Sequence, residues 1–197
     1  MQGEACRPSS PLPREISDLV DRGLFLLIYG PPATGKTRIA FEVAKYVLGK
    51  GGDAVVLATE SGTATYARAV AACVPTRVVL DVEELLENVI YAASKGAFMV
   101  VDSINWIFRS APTEKLLSVL SFISSVLKQV GGLAVGQVAE VEGETEMALG
   151  RWVIPWADVV GVTRRLGGEA RGELEVLKPF RRAIAYELTA EGVRWLE

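Results

Sequence analysis

The apolar run at residues 24–29, which ends directly in Gly30-Pro31-Pro32-Ala33-Thr34-Gly35-Lys36-Thr37, constrains this chain more than any other stretch. An uninterrupted apolar run bounded by glycines is expected of a parallel strand buried on both faces. Downstream, Ile39, Ala40, Val43, Ala44, Val47 and Leu48 recur at helical spacing, which predicts a helix over 37–48. The residues in between match the Walker A pattern in the context that gives it meaning, after a buried strand and before an amphipathic helix. Glycines allow a tight loop whose N–H groups face phosphate oxygens, and the helix N-terminus adds its positive dipole end. Gly30, Pro31, Pro32, Ala33, Thr34, Gly35, Lys36 and Thr37 are therefore the expected nucleotide loop, with ATP and magnesium as ligands. Lys36 is expected to reach the β- and γ-phosphates, and the Thr37 hydroxyl to ligate the metal.

The alternation continues along the chain. A helix is expected over 13–22, and strands over 54–58, 77–80, 98–101 and 133–136 alternate with helices over 64–73, 82–95 and 113–130. Such a series predicts an α/β fold with a mostly parallel sheet and helices on both faces. Residues 138–151 are polar and glycine-containing and read as a mobile loop, followed by a strand over 158–166. Beyond it, the Gly167-Gly168 turn and the alternation of Leu174, Val176, Ile184, Tyr186 and Leu188 predict a C-terminal antiparallel extension.

Asp102 closes the apolar strand before it, the form of a Walker B element that supports magnesium, with Ser103 beside it. Glu60 closes the strand at 54–59, which is expected to lie next to the phosphate-loop strand, and is the candidate general base. Gln137 ends the strand at 133–136, where an amide can contact the γ-phosphate. A solvated glutamate and a strand-end cap are the plainer readings of Glu60 and Asp102 taken singly.

With 197 residues, one domain over 13–197 after a flexible lead-in at 1–12 is expected. No apolar run reaches the roughly 18–20 residues that span a bilayer, so no membrane association and a cytoplasmic location are expected. The absence of histidine excludes the usual zinc sets, and Cys6 and Cys73 read first as inert thiols. Asn and Gln are scarce, as in proteins from hot environments, which leaves a single Cys6–Cys73 bond as the alternative. A net charge of −3 argues against a broad electrostatic grip on nucleic acid.

In order, the phosphate loop, Ala58-Thr59-Glu60-Ser61-Gly62, Val101-Asp102-Ser103-Ile104 and Gly136-Gln137-Val138 resemble the RecA/RadA recombinase superfamily, most of all its short archaeal RadA paralogues of the RadB kind. Arg68, Phe108-Arg109, Leu149-Gly150, Trp156-Ala157-Asp158 and the segment from Tyr186 to Gly192 extend the likeness. The resemblance implies a RecA-like P-loop fold in which Glu60 activates water, Gln137 senses the γ-phosphate, and two loops after Asp102 and Gln137 face DNA. It also implies nucleotide held between neighbouring subunits of a homo-oligomer, with Lys178 and Arg181 contributing from a second chain.

The sequence departs from that family in several places. It shows no helix-hairpin-helix N-terminal domain and no Phe-x-x-Ala polymerisation segment within 1–23. Phe41-Glu42-Val43-Ala44 has the letters but sits on the helix after the phosphate loop, where Phe41 and Ala44 read as packing residues. The second expected DNA-facing loop carries Glu140, Glu142, Glu144 and Glu146 against Arg151, which predicts weak binding of single-stranded DNA at most. Arg109, Arg151 and Trp152 are the candidate DNA or partner contacts. The expected function is a slow ATPase that assists homologous recombination and DNA repair with a recombinase partner. The alternative is a KaiC-like regulatory or scaffold ATPase that does not touch DNA.

Overall fold

The computed structural model describes residues 6–109, 112–141, 144–168 and 170–196. The chain opens with α1 (Arg14–Asp21), β1 (Phe25–Gly30), α2 (Lys36–Gly49), β2 (Ala54–Ala58), α3 (Ser61–Val70) and β3 (Thr76–Val78). There follow α4 (Val82–Ser94), β4 (Phe98–Asp102), α5 (Glu114–Val130), β5 (Gly132–Val141), β6 (Glu144–Met147) and the short α6 (Gly150–Val153). The C-terminal part comprises β7 (Val159–Arg165), β8 (Arg171–Lys178), β9 (Arg182–Leu188) and β10 (Val193–Trp195). The sheet order is β10-β9-β8-β7-β1-β5-β4-β2-β3, parallel from β7 to β3 and antiparallel from β7 to β10, with β6 paired to β5. The expected α/β architecture with a C-terminal antiparallel extension is the observed one.

Period-two alternation divides the strand side chains between two cores. Leu26 and Ile28 of β1 join Val56, Val100 and the α2 residues Ile39, Phe41 and Val43 in one. Phe25 and Leu27 join Met99, Val101 and the residues Leu85, Val89, Leu120, Ile123 and Leu127 of α4 and α5 in the other. Both faces of β1 are thus sealed, which accounts for its unbroken apolar run. The α4 start is fixed by reciprocal capping, with Glu84 N–H donating to Asp81 Oδ1 and Leu80 N–H donating to Glu84 Oε2, each at 2.8 Å.

The structure corrects the reading of 138–151 as a loop. β5 runs on past Gln137 and pairs with β6 through Val138↔Met147, Ala139↔Glu146, Glu140↔Thr145 and Val141↔Glu144, and α6 follows. The anchor is Met147, buried in the second core and set against Gly136, where an added Cβ would lie 2.7 Å from Met147 Cε. Glu140 and Glu146 are exposed on this hairpin, and Glu142 lies outside the described residues. Helix α3 also begins earlier than its spacing indicated, directly after Glu60.

Residues 6–12, expected as a flexible lead-in, make specific contacts with the rest of the chain. Ser9 N–H donates to Glu42 Oε2, and Ser9 Oγ donates to Glu42 Oε1 and to the Glu191 carbonyl, both at 2.9 Å. Ser10 Oγ donates to the Val193 carbonyl at 2.9 Å, and Leu12 is buried. Cys6 and Cys73 form a disulfide with a Cα–Cα distance of 5.4 Å, so the reading of two inert thiols is corrected. Glu42 is wholly buried but paired with Lys45 at 3.0 Å, which with the Ser9 bonds offsets its desolvation. Among the described residues no helix is long and apolar enough to cross a membrane.

Candidate functional site

The predicted phosphate loop connects β1 to α2 as a compact turn. Gly30 and Gly35 have φ of 150° and 95°, and Ala33 has φ of 58°. A Cβ on Gly30 would meet the Thr163 carbonyl and Oγ1 at 2.5 Å, so only glycine lets β7 approach this closely. Thr34 Oγ1 donates to the Pro31 carbonyl at 2.9 Å and lies 2.6 Å from Thr163 Oγ1, while Arg165 donates to the Ala33 carbonyl at 3.2 Å. The Tyr186 hydroxyl, from β9, donates to the Thr34 carbonyl. The loop is therefore braced from β7 and β9, whose contribution motif reading passed over. Thr163 and Tyr186 are buried side chains in alternating strands, and neither stood out as a loop contact in the sequence.

Lys36 folds back over the loop and donates to the Pro31 carbonyl at 2.6 Å. Burial lowers its pKa below the ordinary lysine value, and the nearby carboxylates of Asp102 and Glu60 oppose that fall. Asp102, at the end of β4, is buried and pushed up to about 6, mainly by desolvation and further by the charge of Glu60. Hydrogen bonds from Thr37 and Thr63 and the charge of Lys36 work the other way, and Thr63 Oγ1 donates to Asp102 Oδ2 at 2.9 Å. Thr37 and Asp102 thus meet at one point as hard oxygen donors beside the phosphate loop. No cluster of three or more Asp, Glu, His or Cys side chains suited to a metal occurs among the described residues. Two such donors fit magnesium, which takes one or two protein oxygens and fills its shell with phosphate oxygens and water.

The structure corrects the expected neighbourhood of Glu60. β1 is flanked by β5 and β7, and β2 is the third strand out from β1, with β5 and β4 between them. Insertion of β4 between β2 and β5 sets this order. Glu60 reaches the site because the parallel strands all end at one edge of the sheet. Gly30 is the register partner of Gln137, and Gln137 Nε2 donates to Glu60 Oε2 at 2.7 Å. Arg109 Nη1 donates to Gln137 Oε1, also at 2.7 Å. Asn105, wholly buried, fixes the backbone there: its Oδ1 accepts from Gln137 N–H at 3.0 Å, and its Nδ2 donates to the Gln137 and Ala148 carbonyls at 2.8 Å. Sequence reading missed Asn105; its one signal was an isolated amide three residues after Asp102.

No protein-family model matches the sequence, and no curated protein matches it. Among solved structures, one described as the crystal structure of the RadB recombinase matches with a TM-score of 0.66 and 18% sequence identity, over 89% of this chain and 91% of that one. The fold is RecA-like.

On this RecA-like fold an open groove of about 750 Å³ runs from the phosphate loop past Lys36, Thr37, Arg38, Tyr66, Arg165 and Thr189. Arg38 lies over the Tyr66 ring at 5.6 Å and donates to the Thr189 carbonyl. Burial lifts the Tyr66 phenol to about 12, with Glu42 adding to the rise and Arg38 opposing it. The remaining predicted residues lie elsewhere. Lys178 donates to the Ala157 carbonyl at 2.5 Å and pairs with Val160 near the start of β7, and exposed Arg181 follows it in the β8–β9 turn. That turn is at the opposite edge of the sheet from Gly30, so within one chain neither residue joins the phosphate loop. Arg151 is exposed and stacks its guanidinium 5.3 Å from the Trp152 ring, while Trp152 packs against the second core. Arg109 is exposed but reaches Gln137, and Phe41 and Ala44 are fully buried in α2.

Proposed function

We propose that this protein is an ATP-binding RecA/RadA-like paralogue with slow magnesium-dependent hydrolysis, serving homologous recombination and DNA repair beside a recombinase partner. The observation that carries the reading is convergence: Lys36 with Thr37, Glu60, Asp102 and Gln137 come from four separate places in the sequence and meet at one sheet edge. Gly30 to Thr37 bind the triphosphate, with backbone N–H groups and the start of α2 directed at its oxygens. Lys36 leaves the Pro31 carbonyl to hold the β- and γ-phosphates. Thr37 and Asp102 hold magnesium, which when bound offsets the negative charge of the phosphates. Glu60 orients the attacking water and accepts its proton, and Gln137 donates its amide to the γ-phosphate and passes that contact to the β5–β6 hairpin. Exposed Glu140 and Glu146 keep single-stranded DNA binding weak, which assigns the DNA-facing role chiefly to a complex with the partner.

Phosphate release from ATP in magnesium, with and without single-stranded DNA at low salt, tests this reading. The wild type should turn over slowly, and Glu60→Gln should lose at least about 100-fold in rate while still binding ATP. Turnover by the variant at the wild-type rate would remove Glu60 from the chemistry. No response to DNA or to added recombinase would favour the regulatory ATPase.

A further inference from the structure

The side-chain amide of Gln137 is held from two sides by groups of opposite character. Arg109 can only donate and an ionised Glu60 can only accept. One of the two amide orientations satisfies both, with Oε1 toward Arg109 and Nε2 toward Glu60, each at 2.7 Å. A flipped amide would set NH₂ against the guanidinium and oxygen against the carboxylate. The backbone at Gln137 is fixed separately by Asn105 and by Ala148 N–H, which donates to the Gln137 carbonyl at 2.9 Å. What Arg109 controls is therefore the direction of the amide alone.

We propose that Arg109 is a positioning residue that keeps the Gln137 NH₂ on the Glu60 side of the site, where a γ-phosphate would meet a donor, so that the site selects a nucleoside triphosphate over a diphosphate. The inference rests on the nucleotide reading above. A γ-phosphate carries only acceptors, so an amide presenting NH₂ binds it and an amide presenting oxygen repels it. A diphosphate has no group at that place and does not register the orientation. Arg109 is exposed and lies on the segment after β4, bonded through its backbone N–H to the Trp106 carbonyl at 3.2 Å. Its removal leaves the core and the phosphate loop untouched.

The experiment compares the affinities of a non-hydrolysable ATP analogue and of ADP, both with magnesium, for wild type, Arg109→Ala, Arg109→Lys and Gln137→Ala. Arg109→Ala should weaken the analogue by about fivefold, the weight of one net hydrogen bond, and leave ADP unchanged. Arg109→Lys, which keeps a cationic donor but loses the planar guanidinium, should fall between. In the Gln137→Ala background, Arg109→Ala should have no further effect. An unchanged analogue affinity, an equal loss for both nucleotides, or a loss that persists without Gln137 overturns the role of Arg109 and leaves nucleotide binding standing. A wild type that binds neither nucleotide overturns both.

Discussion

Asp158 and Asp102 are both withdrawn from water, and their neighbours send them in opposite directions. Asp158 accepts the Phe25 N–H at 3.1 Å and pairs with Lys128, joining the start of β1 to α5. Partial burial raises its pKa, but the Lys128 hydrogen bond, the Phe25 N–H and the charges of Lys128 and Lys178 outweigh it and hold the carboxyl below the usual value of 3.8. A carboxylate depressed in the folded state adds stability above its unfolded pKa and loses it as pH falls through the folded value. Asp158→Asn should therefore cost about 1 kcal/mol at pH 7. The gap from wild type should hold down to about pH 5 and narrow as pH falls below the usual carboxylate range, as read by denaturant titration across pH; a gap that widens toward acid pH would contradict this. Asp102 lacks such a surplus of partners, and burial lifts it to about 6. Its position at the end of an apolar strand was legible in sequence, whereas the partners that tune it were not, because Thr63 arrives from α3, outside any linear motif.

Among the elements, those with strong periodicity were legible and those defined by tertiary contacts were not. β1, α2, α4 and α5 follow apolar spacing that survives any arrangement of their neighbours. The β5–β6 hairpin did not read as one because Glu140 and Glu146 face outward, and the contacts that order it, Met147 on Gly136 and the Asn105 amide, come from residues far apart in sequence. The segment before α1 is similar: its serines bind Glu42 and the carbonyls of Glu191 and Val193 across the whole length of the chain. The Cys6–Cys73 disulfide closes a span of 67 residues, for which chain entropy gives about 4 kcal/mol. Cys73→Ser, or reductant added to wild type, should lower the melting temperature by roughly 10 °C. Thermal melts in which the two perturbations coincide would support this stabilisation, and an unchanged midpoint in both would refute it.

At the scale of the molecule, a mostly parallel sheet collects strand ends at one edge, and the candidate site lies there. Alternating strands and helices made the fold class readable, but not the strand order, since the positions of β4 and β5 between β1 and β2 depend on crossovers that apolar patterns do not encode. Glu60 was legible as a strand-end carboxylate but was assigned the wrong neighbouring strand, and its contact with Gln137 emerged only from the folded sheet. The C-terminal strands also gained a role that their alternation alone did not indicate, because Thr163 and Tyr186 brace the phosphate loop. The proposed binding of a nucleoside triphosphate through Lys36 is read by calorimetric titration of wild type and a folded Lys36→Ala variant with magnesium and ATP. Saturable binding at one site per chain, weakened at least about 100-fold by the substitution, is the predicted result; equal affinities, or a wild type that does not bind, would contradict it.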